Sequence, residues 1–163
     1  MRKYVLTQIV ALVVSANPCG ADLPKHANLH PLSLQPIGET SDLNLNVEIK
    51  IPEGQTLHAV GLDPLLAIYE KVNGTWQKTG EIEMNGINSI LNSSTIHLHE
   101  HRGLQTKSGP IAIDSTLFHC ATKGGFCVID SFQGIVERRP GLKDNHVTVT
   151  LTGTDAKKLF RKR

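Results

Sequence analysis

The chain has 163 residues, of which 39% are hydrophobic and 20% are charged. This length suffices for one domain with its own core, which buries roughly 68–70% of the surface that its unfolded chain exposes. The 17 basic side chains nearly balance the 15 acidic ones, and near neutrality argues against a nucleic-acid-binding protein.

Residues 1–21 are predicted to be a secretory signal peptide. Arg2 and Lys3 precede an apolar run over residues 4–16, and small residues follow that run. The run is shorter than the roughly twenty apolar residues that a membrane-spanning helix needs, so no stable membrane span is predicted. The sequence therefore predicts an exported, periplasmic protein.

The position of signal cleavage decides how many thiols the exported chain keeps. Cleavage after Ala21 removes Cys19 and leaves two cysteines, whereas cleavage after Ala16 leaves three. We favour Ala21, because the shorter peptide has almost no polar exit region. An even number of cysteines also suits an oxidising compartment.

Residues 22–41 are predicted to be an extended lead-in, because Pro24, Pro31 and Pro36 are too closely spaced for a helix. The clearest strand follows. From Leu43 to Ile51, apolar residues alternate strictly with polar ones, which predicts a strand with one face in the core.

The remaining turn signals favour an all-β chain. Asn73-Gly74 between two strand-like runs predicts a hairpin, and residues 146–152 alternate again. About eight short strands and no long helix predict an antiparallel, immunoglobulin-like β-sandwich over residues 42–153. Residues 154–163 form a basic tail, which we interpret as solvated rather than as a contact for a membrane surface or an acidic partner.

Two cysteines flank a short glycine-containing loop. Cys120 and Cys127 end two strand-like runs, so an antiparallel pairing brings them close together, at a distance that depends on the register. Their spacing is wider than C-x-x-C and no helix follows, which favours a structural disulfide. A redox-active pair remains the alternative.

A second candidate site is the run His97-x-His99-x-His101. In a strand these three histidines project from one face, where they can ligate Zn²⁺ or Cu²⁺ if another segment adds a ligand. The alternative interpretation is that they are the solvated face of a half-buried strand.

Acidic and hydroxyl side chains offer no recognisable catalytic group. The available residues are Glu100, Asp114, Ser115, Asp130 and Ser131. Their spacing matches no triad, carboxylate pair or phosphate-binding loop, so no hydrolase or transferase is predicted.

Three segments carry a family resemblance: LNLNVEIKIPEG, AIYEKVNGTWQKTG and LFHCATKGGFCVIDSFQGIVERR. Together they resemble the carboxy-terminal β-sandwich of the NHL-repeat thioredoxin-like proteins. They are also distantly similar to the immunoglobulin-like amino-terminal domain of the periplasmic thiol:disulfide interchange proteins. The resemblance covers roughly residues 43–149.

The resemblance implies that Cys120 and Cys127 form a disulfide that can exchange with a client. It further implies a periplasmic accessory protein that assists maturation of another exported enzyme, without a cofactor of its own. The small accessory proteins of methylamine-utilisation clusters are of this kind, and they serve formation of the tryptophan-derived quinone in methylamine dehydrogenase. A metal-binding or purely structural interaction sandwich is the alternative expectation.

Overall fold

The computed structural model describes residues 22–39, 42–58, 65–82, 95–106, 109–123 and 125–160. The predicted signal peptide lies outside these residues, and β6 is described by its backbone alone. The elements are β1 (Leu29–Pro31), β2 (Asp42–Lys50), β3 (Gln55–Leu57), β4 (Leu66–Val72), β5 (Thr75–Ile82), β6 (Thr95–Gln105), β7 (Ile111–Ala121), β8 (Cys127–Val136), β9 (His146–Thr152) and α1 (Ala156–Phe160).

Within the described residues, the strands form two sheets. The larger sheet has the order β1-β8-β7-β4-β5, and β3 pairs with β7 beyond the end of β4. The smaller sheet has the order β6-β2-β9. The prediction of an all-β chain is thereby confirmed, and no helix in this part of the chain is long and apolar enough to cross a membrane.

The predicted antiparallel pairing is wrong for two strand pairs. β1 runs parallel to β8, and β9 runs parallel to β2. Local turn signals reveal only hairpins, which are antiparallel, whereas parallel partners are joined by long connections that leave no local signal. The sheets are therefore mixed, and the immunoglobulin-like assignment stays a prediction.

The core lies between the two sheets. In β2, the predicted alternation is confirmed, because its apolar side chains from Leu43 to Ile49 are fully buried. They belong to one cluster with apolar side chains from β4, β7, β8 and β9: Leu66, Ile68, Ile111, Ile113, Leu117, Phe132, Val136, Val147, Val149 and Leu151. Burying each side chain of this size contributes about 1.5–3 kcal/mol.

The predicted Asn-Gly hairpin joins β4 to β5. Asn73 and Gly74 both have positive φ, 51° and 84°, and the strands on either side pair from Val72 and Thr75 onwards. Two successive positive φ angles are typical of the type I′ turn, whose twist matches that of the strands. The hairpin prediction is confirmed.

The segment predicted as an extended lead-in contributes to the larger sheet. Its residues Leu29–Pro31 form β1 against β8, and Ile37 is fully buried and bridges to Arg138. Leu32 and Leu34 pack against the core cluster. This segment therefore covers part of the core instead of only preceding it.

Gly134 of β8 allows the lead-in to approach. A Cβ at this position would lie 2.7 Å from the Cβ of Leu32 and 2.9 Å from its carbonyl oxygen. We expect Gly134→Ala to lower the free energy of unfolding by about 1–3 kcal/mol, because the backbone at Leu32 must shift. Urea unfolding measures this change. Gly125→Ala in the hairpin loop is the control for backbone strain alone, because Gly125 has a positive φ but an added Cβ there would meet no atom within 4 Å. An unchanged midpoint for Gly134→Ala would contradict the close approach.

Candidate functional site

The predicted cysteine pair forms a disulfide that joins β7 to β8. Cys120 and Cys127 are direct cross-strand partners, and their Cα atoms are 4.0 Å apart. The backbone N–H of Ala121 donates to the carbonyl oxygen of Phe126, 2.8 Å away. The cysteines therefore occupy the next, non-hydrogen-bonded position, where facing Cα atoms approach to about 4.5 Å.

The disulfide lies on the outer face of the larger sheet. Cys120 is half-buried and Cys127 is exposed. The next cross-strand pair on this face is Phe118 and Ile129, so an apolar row follows the disulfide. We call these four residues the disulfide surface.

His58 is the histidine nearest to this surface along the sheet. Its backbone N–H donates to the carbonyl oxygen of Phe118, and its ring lies 5.6 Å from the ring of Phe118. The hydroxyl of Thr56, which pairs with Cys120, lies 3.4 Å from His58 Nε2. His58 thus sits one row from Cys120, which sequence spacing alone did not indicate.

His119 faces away from the disulfide, as alternation along a strand requires. Its side chain is fully buried on the inner face of the sheet. Nδ1 is 2.6 Å from Gln55 Oε1, and Nε2 is 2.8 Å from Asp130 Oδ2. His119 therefore belongs to a buried polar network beneath the cysteine hairpin and not to the disulfide surface.

Asp130 is the centre of that network. Thr154 donates to it twice, from its backbone N–H to Oδ2 at 2.6 Å and from its hydroxyl to Oδ1 at 2.8 Å. His30 Nε2 lies 3.1 Å from Oδ1. Burial alone raises the pKa of Asp130, but the hydrogen bonds from His119 and Thr154 outweigh it and hold the pKa well below its ordinary value.

Gln55 links His119 to the segment after β9. Its amide nitrogen lies 3.5 Å from the carbonyl oxygen of Thr154 and 3.4 Å from Asp155 Oδ1, and its amide oxygen lies 2.6 Å from His119 Nδ1. The buried pair of His119 and Asp130 is thus tied both to β3 and to the segment after β9.

A groove of about 360 Å³ opens beside this network. His30, Asp130 and Thr154 line it together with apolar residues. In the described part of the chain, no serine, threonine or cysteine side chain hydrogen-bonds to His30 or His119.

The other acidic candidate, Asp114, lies on the outer face. His26 Nε2 is 2.8 Å from Asp114 Oδ1, and Gln133 donates to the same oxygen at 3.0 Å. Of the serines singled out by sequence, Ser115 is buried and donates to the carbonyl oxygen of Leu65, and Ser131 is buried as well. The side-chain hydrogen bonds found among the described residues join neither serine to Asp114 or Asp130.

The three histidines proposed as metal ligands lie on β6, an edge strand of the smaller sheet. The register pairs His97 with Glu48 and His101 with the buried Leu45, and it passes over His99 at an irregularity. The metal site itself stays a prediction. The side chains of β6, including that of Glu100, lie outside the described set, and the described side chains contain no group of three or more potential ligands placed to hold a metal ion.

Comparison with protein-family models, with curated proteins and with solved structures finds no match to this chain.

Proposed function

We propose that this protein is a periplasmic accessory protein that exchanges its disulfide with cysteines of an exported client protein. The observation that carries the proposal is that Cys127 is an exposed residue on an apolar strand surface. Disulfides that exchange must be accessible to an attacking thiolate, whereas purely structural ones are commonly buried.

The geometry supports a defined order of bond changes. A client thiolate attacks the sulfur of the exposed Cys127, a mixed disulfide forms, and Cys120 leaves as a thiolate. The imidazole of His58 lies on the same face, one row from Cys120. A second client thiolate then displaces Cys127, so that the client gains a disulfide and this protein receives two electrons.

Export and the kind of client rest on the sequence. The predicted signal peptide supports a periplasmic location, and the resemblance to thiol:disulfide interchange domains supports an immunoglobulin-like sandwich with an exchanging pair. By the same resemblance, we propose a disulfide-rich enzyme under maturation as client, with methylamine dehydrogenase and its tryptophan-derived quinone as the example. A metal-binding role has no supporting contact among the described side chains.

The reduction potential of the Cys120–Cys127 bond tests the proposal. We expect a value above about −300 mV in glutathione buffers, since bonds below that potential resist reduction by the glutathione pool. Mass spectrometry of alkylated protein gives the reduced fraction, and Cys19→Ser protein serves as the control for the third thiol. A potential below that limit would assign the bond a structural role.

A further inference from the structure

The strand that carries Cys127 has a free edge beside the disulfide. Within the described residues, β1 pairs with β8 only at Ser131–Gln133, so the stretch Cys127–Asp130 has a neighbouring strand on the β7 side alone. An unpaired edge of this kind is a template for an additional strand.

The hydrogen-bonding pattern shows which backbone groups face that edge. Phe126 bonds to β7, whereas Ser131 donates to the carbonyl oxygen of Asn28 and Gln133 accepts from Leu32 on the other side. Odd-numbered residues of β8 therefore direct their N–H and C=O groups away from β7. By the same alternation, the backbone groups of Cys127 and Ile129 point to the open side.

The amino-terminal segment turns away from this edge. Residues 22–28 cross to the outer face, where His26 bonds to Asp114 and the Pro24 carbonyl oxygen accepts a hydrogen bond from Gln133. An incoming strand at Cys127 would therefore continue the position that β1 occupies further along β8.

The surroundings of the edge are apolar. Among the described residues, six large hydrophobic side chains are highly exposed, and four of them, each 44–52% exposed, border the edge or its groove: Leu29, Phe126, Ile129 and Leu159. Asp130 is the one carboxylate among the groove's lining residues, and its oxygens are already bonded to His30, His119 and Thr154. The occupant that this chemistry suits is an uncharged, apolar segment.

An added strand would also align three sulfurs. Neighbouring strands lie about 4.7–4.9 Å apart, and facing side chains project from the same side of the sheet. A cysteine opposite Cys127 on the added strand would place its sulfur on the far side of Cys127 from Cys120. Thiolate attack displaces the leaving sulfur from the opposite side, so this arrangement suits the reaction.

We propose that the client presents its cysteine on an extended, apolar segment that pairs with the free edge of β8 at Cys127–Ile129. This inference rests on the proposed thiol exchange and names the form of its substrate. The client sulfur bonds to Cys127 as the Cys120–Cys127 bond breaks, and the Cys120 thiolate takes a proton from water. Backbone pairing positions the segment, and the groove accepts its apolar side chains.

A model peptide tests the inference on the full chain in a Cys19→Ser background. The probe is a short, capped peptide of alternating valine and threonine with one central cysteine, and the rate of mixed-disulfide formation is measured by mass spectrometry. We expect Ile129→Pro to slow this reaction at least about tenfold, because proline lacks the N–H that faces the edge. The ladder to β7 uses even-numbered residues of β8 and keeps its bonds. Ile135→Pro, which removes an N–H of the same orientation from β8 but lies outside the stretch Cys127–Ile129, is the matched control and should react at nearly the wild-type rate.

Glutathione distinguishes the proposed thiol exchange from the proposed strand pairing. We expect Ile129→Pro to react with glutathione within about twofold of wild type, since a small thiol does not pair as a strand. Failure of both thiols to react with wild type would overturn the proposed exchange itself. Normal glutathione exchange with an equal peptide rate in Ile129→Pro and wild type would overturn edge pairing alone.

A second measurement does not depend on the folding of any variant. The same peptide is made with N-methyl groups on the backbone amides that would pair with β8. We expect it to react with the wild-type chain at least about tenfold more slowly than the unmethylated peptide. Peptide mapping should place the mixed disulfide on Cys127. Equal rates for both peptides, or attachment at Cys120, would contradict the inference.

Discussion

Replacing Asp130 with asparagine is expected to lower the free energy of unfolding by about 2–3 kcal/mol. The buried carboxylate accepts hydrogen bonds from the backbone N–H and the hydroxyl of Thr154, and bonds to a charged group are stronger than those to a neutral one. Asparagine keeps one acceptor oxygen, and its NH₂ group would face a donor in place of the other. Urea unfolding at neutral pH measures the loss.

Lowering the pH should destabilise the fold through the same carboxylate. Because folding lowers the pKa of Asp130, its contribution is complete above the unfolded-state pKa of about 3.9 and is lost as pH falls towards the lower folded-state value. We therefore expect wild type to lose stability below about pH 4, and Asp130→Asn to lack this part of the pH dependence. Unfolding midpoints measured across the acidic range supply the comparison.

A matched control separates the buried hydrogen bonds of Asp130 from the general effect of removing a carboxylate. Asp144 is exposed, and its side chain accepts one backbone hydrogen bond from His146. Asp144→Asn should change the free energy of unfolding by less than about 1 kcal/mol. Equal effects of Asp130→Asn and Asp144→Asn would contradict the contribution assigned to the buried carboxylate.

Replacing both cysteines of the hairpin with alanine is expected to cost about 2–3 kcal/mol while the fold is retained. The disulfide closes a loop of seven-residue sequence separation, and constraint of so small a loop in the unfolded chain is worth roughly that amount. The core lies between the two sheets and does not include either sulfur. Circular dichroism and urea unfolding measure the two quantities.

The same double variant distinguishes a disulfide that exchanges with a client from one that only stabilises the fold. Under the proposed function, client maturation should fail although the variant is folded. Cys19→Ser, which leaves the hairpin intact, should support maturation normally. Full maturation with the double alanine variant would leave the disulfide with a structural role only.

The sequence predicted those elements whose signal lies in neighbouring residues. The alternation from Leu43 to Ile51 indicated the buried face of β2, and Asn73-Gly74 indicated a turn that needs positive φ. Parallel pairing was not predictable in this way. The partner of β9 is fixed by burial of Val147 and Val149 against β2, which lies about a hundred residues earlier in the chain.

The candidate site was also predictable only in part. Spacing suggested the cysteine pair, and the alternation of side chains along a strand accounts for the position of His119 on the face opposite Cys120. The partners of His119 and Asp130 come from β3, β8 and the segment after β9, and no spacing in the sequence brings those segments together. One signal was present, because His119 and Asp130 interrupt the apolar face of their strands next to Leu117 and Phe132.

The parallel pairing of β2 with β9 has a consequence for how the chain folds during synthesis. Asn44 to Lys50 acquire this partner only once His146 to Thr152 have been made, so a growing chain lacks the parallel partner of β2 until then. Folding rates fall as the mean sequence separation of contacts rises, because the chain loses the entropy of loop closure before distant contacts stabilise it. Acquisition of the native state therefore awaits the last strand, and the newly made polypeptide remains accessible to chaperones until then.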